Sequence, residues 1–134
     1  FVYGPLMAEE VLRSLLRRVP TNKPAVLAGY KRYRVRHASF PAILPAQPED
    51  RVQGKVLLGL SKAELQRLDV YESGMYVRTR VNPVAEGGER VTADVYVWRE
   101  ENRDDLELSA GDWSYGEWRK TNLSRWVGAS ASEE

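Results

Sequence analysis

The 134-residue chain contains no cysteine. That excludes disulfide staples, thiolate metal sites and a cysteine nucleophile, and it suits a reducing compartment. Histidine is nearly absent as well. His37 is the one copy, so a histidine-built metal cluster is impossible and a Ser/His pair would have to use that residue. No nucleophile-elbow motif accompanies it. Neither sign of charge is in excess: 20 Lys and Arg against 19 Asp and Glu leave a net charge of +1. This balance gives no global pull toward nucleic acid or an anionic membrane. No apolar run approaches the ~20 residues of a membrane span, and no signal-peptide pattern is visible. Phe1 is not an initiator methionine, which leaves room for residues ahead of it. The expectation is a cytoplasmic protein, monomeric or homodimeric, with no nucleic-acid or membrane partner.

What is present fits one domain over residues 1–134. Hydrophobic residues make up 43% and charged residues 29%, a globular composition. Phe1 to Tyr3 reads as a short buried strand stopped by Gly4-Pro5. Met7, Val11, Leu12, Leu15, Leu16 and Val19 then recur at helical spacing, ending at Pro20. A strand turning tightly into a helix leaves free N–H groups, a natural anion cradle. Ala25 to Val35 reads as a strand interrupted or bent at Gly29. Phe40 to Pro45 is an extended segment over the core, since its prolines bar it from a central strand. Val52 to Leu60 is a strand in which Gly54 marks a bulge or a close backbone approach. Ser61-Lys62-Ala63-Glu64 is a capping box for a short helix ending near Tyr71. Met75–Val84 and Glu89–Trp98 form a hairpin across Glu86-Gly87-Gly88. Glu100 to Leu108 reads as an exposed loop, Tyr115 onward as a terminal helix, and Ala129 to Glu134 as a frayed tail.

Glu72 stands out as a lone carboxylate at a helix–strand junction, bracketed by Tyr71 and Met75-Tyr76. Aromatic neighbours would raise its pKa by desolvation and suit it to general acid/base work; the alternative is a solvated glutamate at a helix end. The turn Tyr3-Gly4-Pro5-Leu6 is either an amide cradle or an ordinary strand–turn–helix. It lacks the repeated glycines of a nucleotide loop. Lys31-Arg32-Tyr33-Arg34-Val35-Arg36-His37 interleaves basic residues with an aromatic as a nucleic-acid strand would need, but the near-neutral total charge and simple alternation favour a solvated strand face. The four tryptophans read as packing residues.

Several segments in order, Phe1-Val2-Tyr3-Gly4-Pro5-Leu6-Met7, Phe40-Pro41-Ala42-Ile43-Leu44, Val52-Gln53-Gly54-Lys55-Val56, Leu65 to Glu72, Tyr76-Val77-Arg78 and Ala93 to Trp98, span nearly the whole chain. Together they resemble the gamma-glutamylcyclotransferase-like superfamily, most closely its plant and fungal avirulence-induced-gene branch. That resemblance implies an α+β fold: a small mixed-topology β-barrel with flanking helices and a cavity at one end. It implies a cofactor-independent enzyme that cyclises a gamma-glutamyl compound to 5-oxoproline and releases an amine or amino acid, as in glutathione metabolism. Glu72 matches the family's conserved glutamate, and the loop of Tyr3, Gly4, Pro5 and Leu6 matches the segment that binds the glutamyl part through main-chain groups. Pro5 departs from the family's usual Ser or Thr and removes one N–H and one hydroxyl. Tyr76 is expected to line the cavity. Arg78, on the same strand side, would hold a carboxylate or anchor Glu72, with a structural ion pair as the alternative. A non-catalytic protein binding small carboxylates in the same cavity is the other function open to this fold.

Overall fold

The computed structural model describes residues 1–132, apart from the side chains of Ser73 and residues 128–132. In the opening segment, Val2 exchanges both main-chain hydrogen bonds with Lys55, at 2.8 and 2.9 Å. Pro5–Met7 forms one 3-10 turn, where the missing N–H of Pro5 falls at a position that has no partner within the helix in any case. Helix α1 (Glu9–Leu16) buries Val11, Leu12 and Leu16. It is shorter than its apolar spacing suggests: Arg17 adopts a left-handed φ of 67° and closes it, so Pro20 is not the stop.

Strands β1 (Thr21–Ala28) and β2 (Tyr30–Val35) are separated by Gly29 at φ 84°. The first begins four residues earlier than expected, and Pro24 lies within it. Segment β3 (Pro41–Pro45) is a true strand paired with β2, placed at a sheet edge as its prolines require. Strand β4 (Arg51–Leu58) pairs with β1 along its whole length. Gly54 in β4 marks a close approach: a Cβ there would lie 2.2 Å from the Val2 carbonyl oxygen and 2.8 Å from the Phe1 ring. That absence of a side chain is what lets the opening segment lie down on the sheet.

Helix α2 (Lys62–Glu72) starts with the expected capping box, Ser61 Oγ accepting the Glu64 N–H at 3.1 Å and Glu64 accepting the Ser61 N–H at 2.9 Å. Strands β5 (Tyr76–Val81) and β7 (Ala93–Trp98) form the predicted hairpin pair. Between them, β6 (Val84–Ala85) leaves the hairpin to pair with β1. The supposed loop after Trp98 is ordered instead: a 3-10 segment, Glu100–Asp105, leads into β8 (Leu106–Glu107), which pairs with β2 and buries Leu106. Helix α3 (Tyr115–Ser132) has helical backbone through most of the expected tail; Glu133 and Glu134 lie outside the described residues.

The barrel expectation is corrected. The described strands fall into three sheets, β4-β1-β6, β3-β2-β8 and β5-β7, all antiparallel and none closed. The opening segment lies between β4 and β7 and links them only sparsely. That segment pairs with β4 at Val2 alone and reaches β7 through one bond from the Phe1 nitrogen to the Asp94 carbonyl, at 2.7 Å. Strand β3 is capped at both ends by prolines that lack an N–H. What results is three sheets around a core of Phe1, Tyr3, Ile43, Val52, Val56 and Val95, with α1, α2 and α3 packed over Val2, Leu6 and Leu12. No helix of the described residues is long and apolar enough to cross a membrane.

Candidate active site

The opening turn, the end of α2 and the start of β5 enclose one cavity of about 290 Å³. Tyr3, Gly4, Pro5 and Leu6 line one side, Glu72 and Tyr76 another, and the rest of the wall, which includes Phe1, Phe40, Tyr71 and Trp126, is mostly aromatic. The volume sits at the small end of the ~300–1,000 Å³ usual for ligand pockets.

Glu72 is the last residue of α2, just before a 3-10 turn, Ser73–Met75, that feeds β5. It keeps a modest open surface toward the cavity while protein encloses the rest. Burial raises its pKa from 4.5 to about 7. Among the described residues no hydrogen bond or ion pair reaches its carboxylate, and the tyrosines around it explain why. Tyr3 donates its hydroxyl to the Tyr96 carbonyl at 2.6 Å, Tyr76 to the Pro41 carbonyl at 3.1 Å, and Tyr96 to Asp69 Oδ1 at 2.6 Å. Burial raises the pKa of all three phenols, and the charge of Glu72 raises each further. Three donors therefore surround the acid, and each is committed elsewhere. A carboxylate in an aromatic pocket without donors holds its proton more tightly than one in water.

The opening turn is fixed from behind. Arg32 donates to the Tyr3 carbonyl at 2.8 Å and forks onto Asp112 at 2.8 and 3.0 Å, while Lys55 donates to the Met7 carbonyl at 3.1 Å. The Gly4 carbonyl accepts the Met7 N–H at 2.9 Å. With the carbonyls held on that side, the Gly4 and Leu6 N–H groups have no acceptor among the described residues, and Pro5 between them has no N–H to offer. Gly4 is required sterically, since a Cβ there would meet Pro41 Cδ at 2.9 Å.

Of the residues singled out in the sequence, Tyr3, Gly4, Pro5, Leu6, Glu72 and Tyr76 all line this cavity. Arg78 does not. Its guanidinium lies 3.3 Å from Asp69 Oδ2, and it neither lines the cavity nor contacts Glu72. Two strand residues advance about 6.6 Å, which carries Arg78 past Tyr76, and Asp69 meets it one helical turn before Glu72. Sequence reading missed Tyr96 and Asp69 as a pair, although Asp69 sits three residues before Glu72 on one helix face. It also missed Arg32 as the support of the turn. The Lys31–Arg36 run is engaged within the protein: Arg34 and Arg36 donate to the Asp112 and Asp104 carbonyls, and Lys31 lies over the Tyr33 ring. Among the described residues no three of His, Asp and Glu gather as a metal-holding cluster.

This is an α+β protein with one partly dry carboxylate set beside free main-chain amides. Comparison with known proteins gives the family. Residues 1–119 match the family model "Gamma-glutamyl cyclotransferase, AIG2-like". AIG2-like protein C of Arabidopsis thaliana is 39% identical over 131 residues, covering 97% of this chain and 74% of that protein. A solution structure from Arabidopsis thaliana superposes with a TM-score of 0.73 at 35% identity, covering 99% of this chain and 79% of the other. A gamma-glutamyl cyclotransferase structure matches in fold, with a TM-score of 0.66 at 20% identity over 99% of this chain and 77% of its own. The chain belongs to the AIG2-like gamma-glutamyl cyclotransferase family.

Proposed function

We propose that the protein cyclises a gamma-glutamyl amide to 5-oxoproline and releases the amine, with Glu72 as the acid/base group. The observation that supports this reading is a single unpartnered carboxylate, held near pH 7 by burial, sharing a cavity with the free N–H groups of Gly4 and Leu6.

The substrate's α-ammonium must lose a proton before its nitrogen can attack. An α-amino group ordinarily titrates near ~8, about one unit above Glu72, so the transfer to Glu72 is nearly level. The nitrogen then forms a bond to the γ-carbonyl carbon of the same glutamyl group. The carbonyl oxygen becomes an oxyanion, for which the turn's N–H groups are the donors within the cavity. Collapse breaks the original amide bond as Glu72 returns its proton to the departing nitrogen, and the surplus proton of the ring nitrogen passes to the released amine, which leaves as an ammonium. No water is consumed and no covalent enzyme intermediate forms. Both reacting groups belong to one molecule, so the wall's main contribution is to hold the folded-back conformer.

The test is Glu72→Gln. It removes the proton acceptor while keeping the shape, so 5-oxoproline release should fall by roughly 10²–10⁴-fold in a protein that still folds. Full activity in that variant eliminates Glu72 as the base. Ligand binding without turnover of any gamma-glutamyl compound by the natural protein would instead favour a carboxylate-binding role for the same cavity.

A further inference from the structure

We propose that Arg32 is a positioning residue: its guanidinium turns the Tyr3–Gly4 peptide so that the Gly4 N–H faces the cavity instead of completing the sheet. This rests on the cyclisation reading above and deepens it by identifying what aims an oxyanion donor.

Sheet register alone would leave Gly4 no free donor. Val2 and Lys55 exchange both main-chain hydrogen bonds. In an antiparallel ladder such pairs recur at every second residue, so the next one would join Gly4 to Gln53. The Gly4 N–H would then donate to the Gln53 carbonyl and be lost to the cavity. That bond is not made. Arg32 Nη1 donates to the Gln53 carbonyl at 3.1 Å and to the Tyr3 carbonyl at 2.8 Å instead.

A trans peptide is planar, and its C=O and N–H point to opposite sides. The Tyr3 carbonyl and the Gly4 N–H belong to one such unit. The cation that holds the first therefore aims the second away from Gln53. Gly4 lines the cavity and Arg32 does not, which sets the guanidinium behind the peptide and the N–H in front. Without the guanidinium, the carbonyls of Tyr3 and Gln53 would face each other with no donor between them. Turning the peptide over would relieve this by joining the Gly4 N–H to Gln53. A cation on the carbonyl also polarises the amide and makes its N–H a stronger donor.

Arg32 is itself held in place. Asp112 accepts from Nε and Nη2 at 2.8 and 3.0 Å, and the guanidinium carbon lies over the Trp113 ring, 5.6 Å from its centre. Reaching two carbonyls and a carboxylate at once takes a planar fork of donors, which an ammonium lacks.

Arg32→Gln, measured beside Arg34→Gln, tests the proposal. Arg34 lies two residues along the same strand and donates to the Asp112 carbonyl at 3.3 Å, so its loss loosens the same loop without touching the Tyr3 carbonyl. Hydrogen exchange followed by heteronuclear NMR should show the Gly4 amide protected at least about tenfold more in Arg32→Gln than in the natural protein or in Arg34→Gln. With gamma-glutamyl-alanine and gamma-glutamyl-butylamide as substrates, kcat for 5-oxoproline release should fall about 10–100-fold in Arg32→Gln, with KM changed less than about threefold. The limb of the rate profile near 7 should stay where it is, and Arg34→Gln should keep the natural kcat. Unchanged Gly4 exchange, an unchanged kcat in Arg32→Gln, or an equal loss in Arg34→Gln overturns the inference. Slowed Gly4 exchange in Arg32→Gln, with no 5-oxoproline from either compound in the natural protein, sustains the positioning role and overturns the cyclisation reading. Should Arg32→Gln fail to fold, Asp112→Asn loosens the guanidinium without removing it and decides by the same two measurements, with smaller effects in the same directions.

Discussion

Helix α2 carries a glutamate near each end, and the two are pushed in opposite directions. At its first turn Glu64 accepts two hydrogen bonds from Arg18, both at 2.7 Å, and one from the Ser61 N–H. Arg18 and Ser61 hold its carboxyl down at about 2. At the last turn Glu72 has no donor among the described residues, and burial lifts it to about 7. Residue type and helix are shared, so the difference lies in burial at Glu72 and in partners at Glu64. Where the carboxylate closes a helix end, the chain supplies every donor it needs. At the cavity, tyrosines come close and spend their protons on other acceptors. A helix C-terminus adds to this, since its unsatisfied carbonyls disfavour a nearby negative charge while the N-terminus favours one.

The largest effect expected from breaking this contrast is on Glu72 itself. Beyond the loss of turnover, Glu72→Gln should stabilise the protein. The native acid has a folded pKa above its unfolded one, so the folded state holds the proton more tightly. The resulting penalty is absent below about 4.5, grows as pH rises to about 7, and is complete above that. A neutral amide removes it, giving up to about 3 kcal/mol at pH 8 and nothing at pH 4. Urea unfolding of the two proteins at both pH values measures this. A variant less stable at pH 8 would mean that the native carboxylate has a partner after all.

A smaller effect should follow from Asp69, which accepts the Tyr96 hydroxyl hydrogen bond and pairs with Arg78. In Asp69→Ala the Tyr96 proton loses its acceptor and becomes available to Glu72. One new hydrogen bond to a carboxylate is worth about 1–2 kcal/mol, or roughly one pKa unit. The acidic limb of the kcat/KM profile should therefore move from near 7 toward 6. Asp69→Asn, which keeps an acceptor, should move it less. The double variant Asp69→Ala with Tyr96→Phe should restore it. A limb that stays in place in all three would show that the orientation of Tyr96 has no bearing on Glu72.

How much of this was legible in the residue string depended on the range of the interaction. The capping box Ser61–Glu64 and the hairpin across Glu86-Gly87-Gly88 could be read because their partners are neighbours in sequence. Gly54 could be flagged as a close approach, but the Val2 carbonyl that occupies its space lies 52 residues away. Glu72, Tyr76 and the opening turn were recognisable as candidates through their junctions and their family resemblance. The fate of the tyrosine protons was not, because Tyr3 meets Tyr96 across 93 residues and Tyr76 meets Pro41 across 35. Arg78 shows the limit of periodicity: alternation gives the correct side of a strand, yet not whether a cavity extends far enough to meet it. The open sheets have the same origin. Strand-forming residues were identifiable locally, while barrel closure depended on pairing between strands far apart in sequence, and the three sheets stay separate.

The smallest expected effect belongs to the opposite end of α2, and it serves as the control for the comparison. Ser61→Ala removes the hydroxyl that accepts the Glu64 N–H. Loss of an N-terminal cap typically costs about 1 kcal/mol. Glu64 keeps its Arg18 fork, and because that pair lies at the surface, solvent screening keeps its own worth small. Its carboxyl is depressed in the folded state, so what it contributes is present above about 4.5 and fades as pH falls toward 2. Ser61→Ala should accordingly lower stability slightly at pH 7 and leave the limb near 7 in the rate profile where it was. Circular-dichroism melts and a pH–rate series read the two quantities separately. A shifted rate profile would mean that the two ends of α2 are coupled, and the contrast between a partnered and an unpartnered glutamate would then no longer be local to each end.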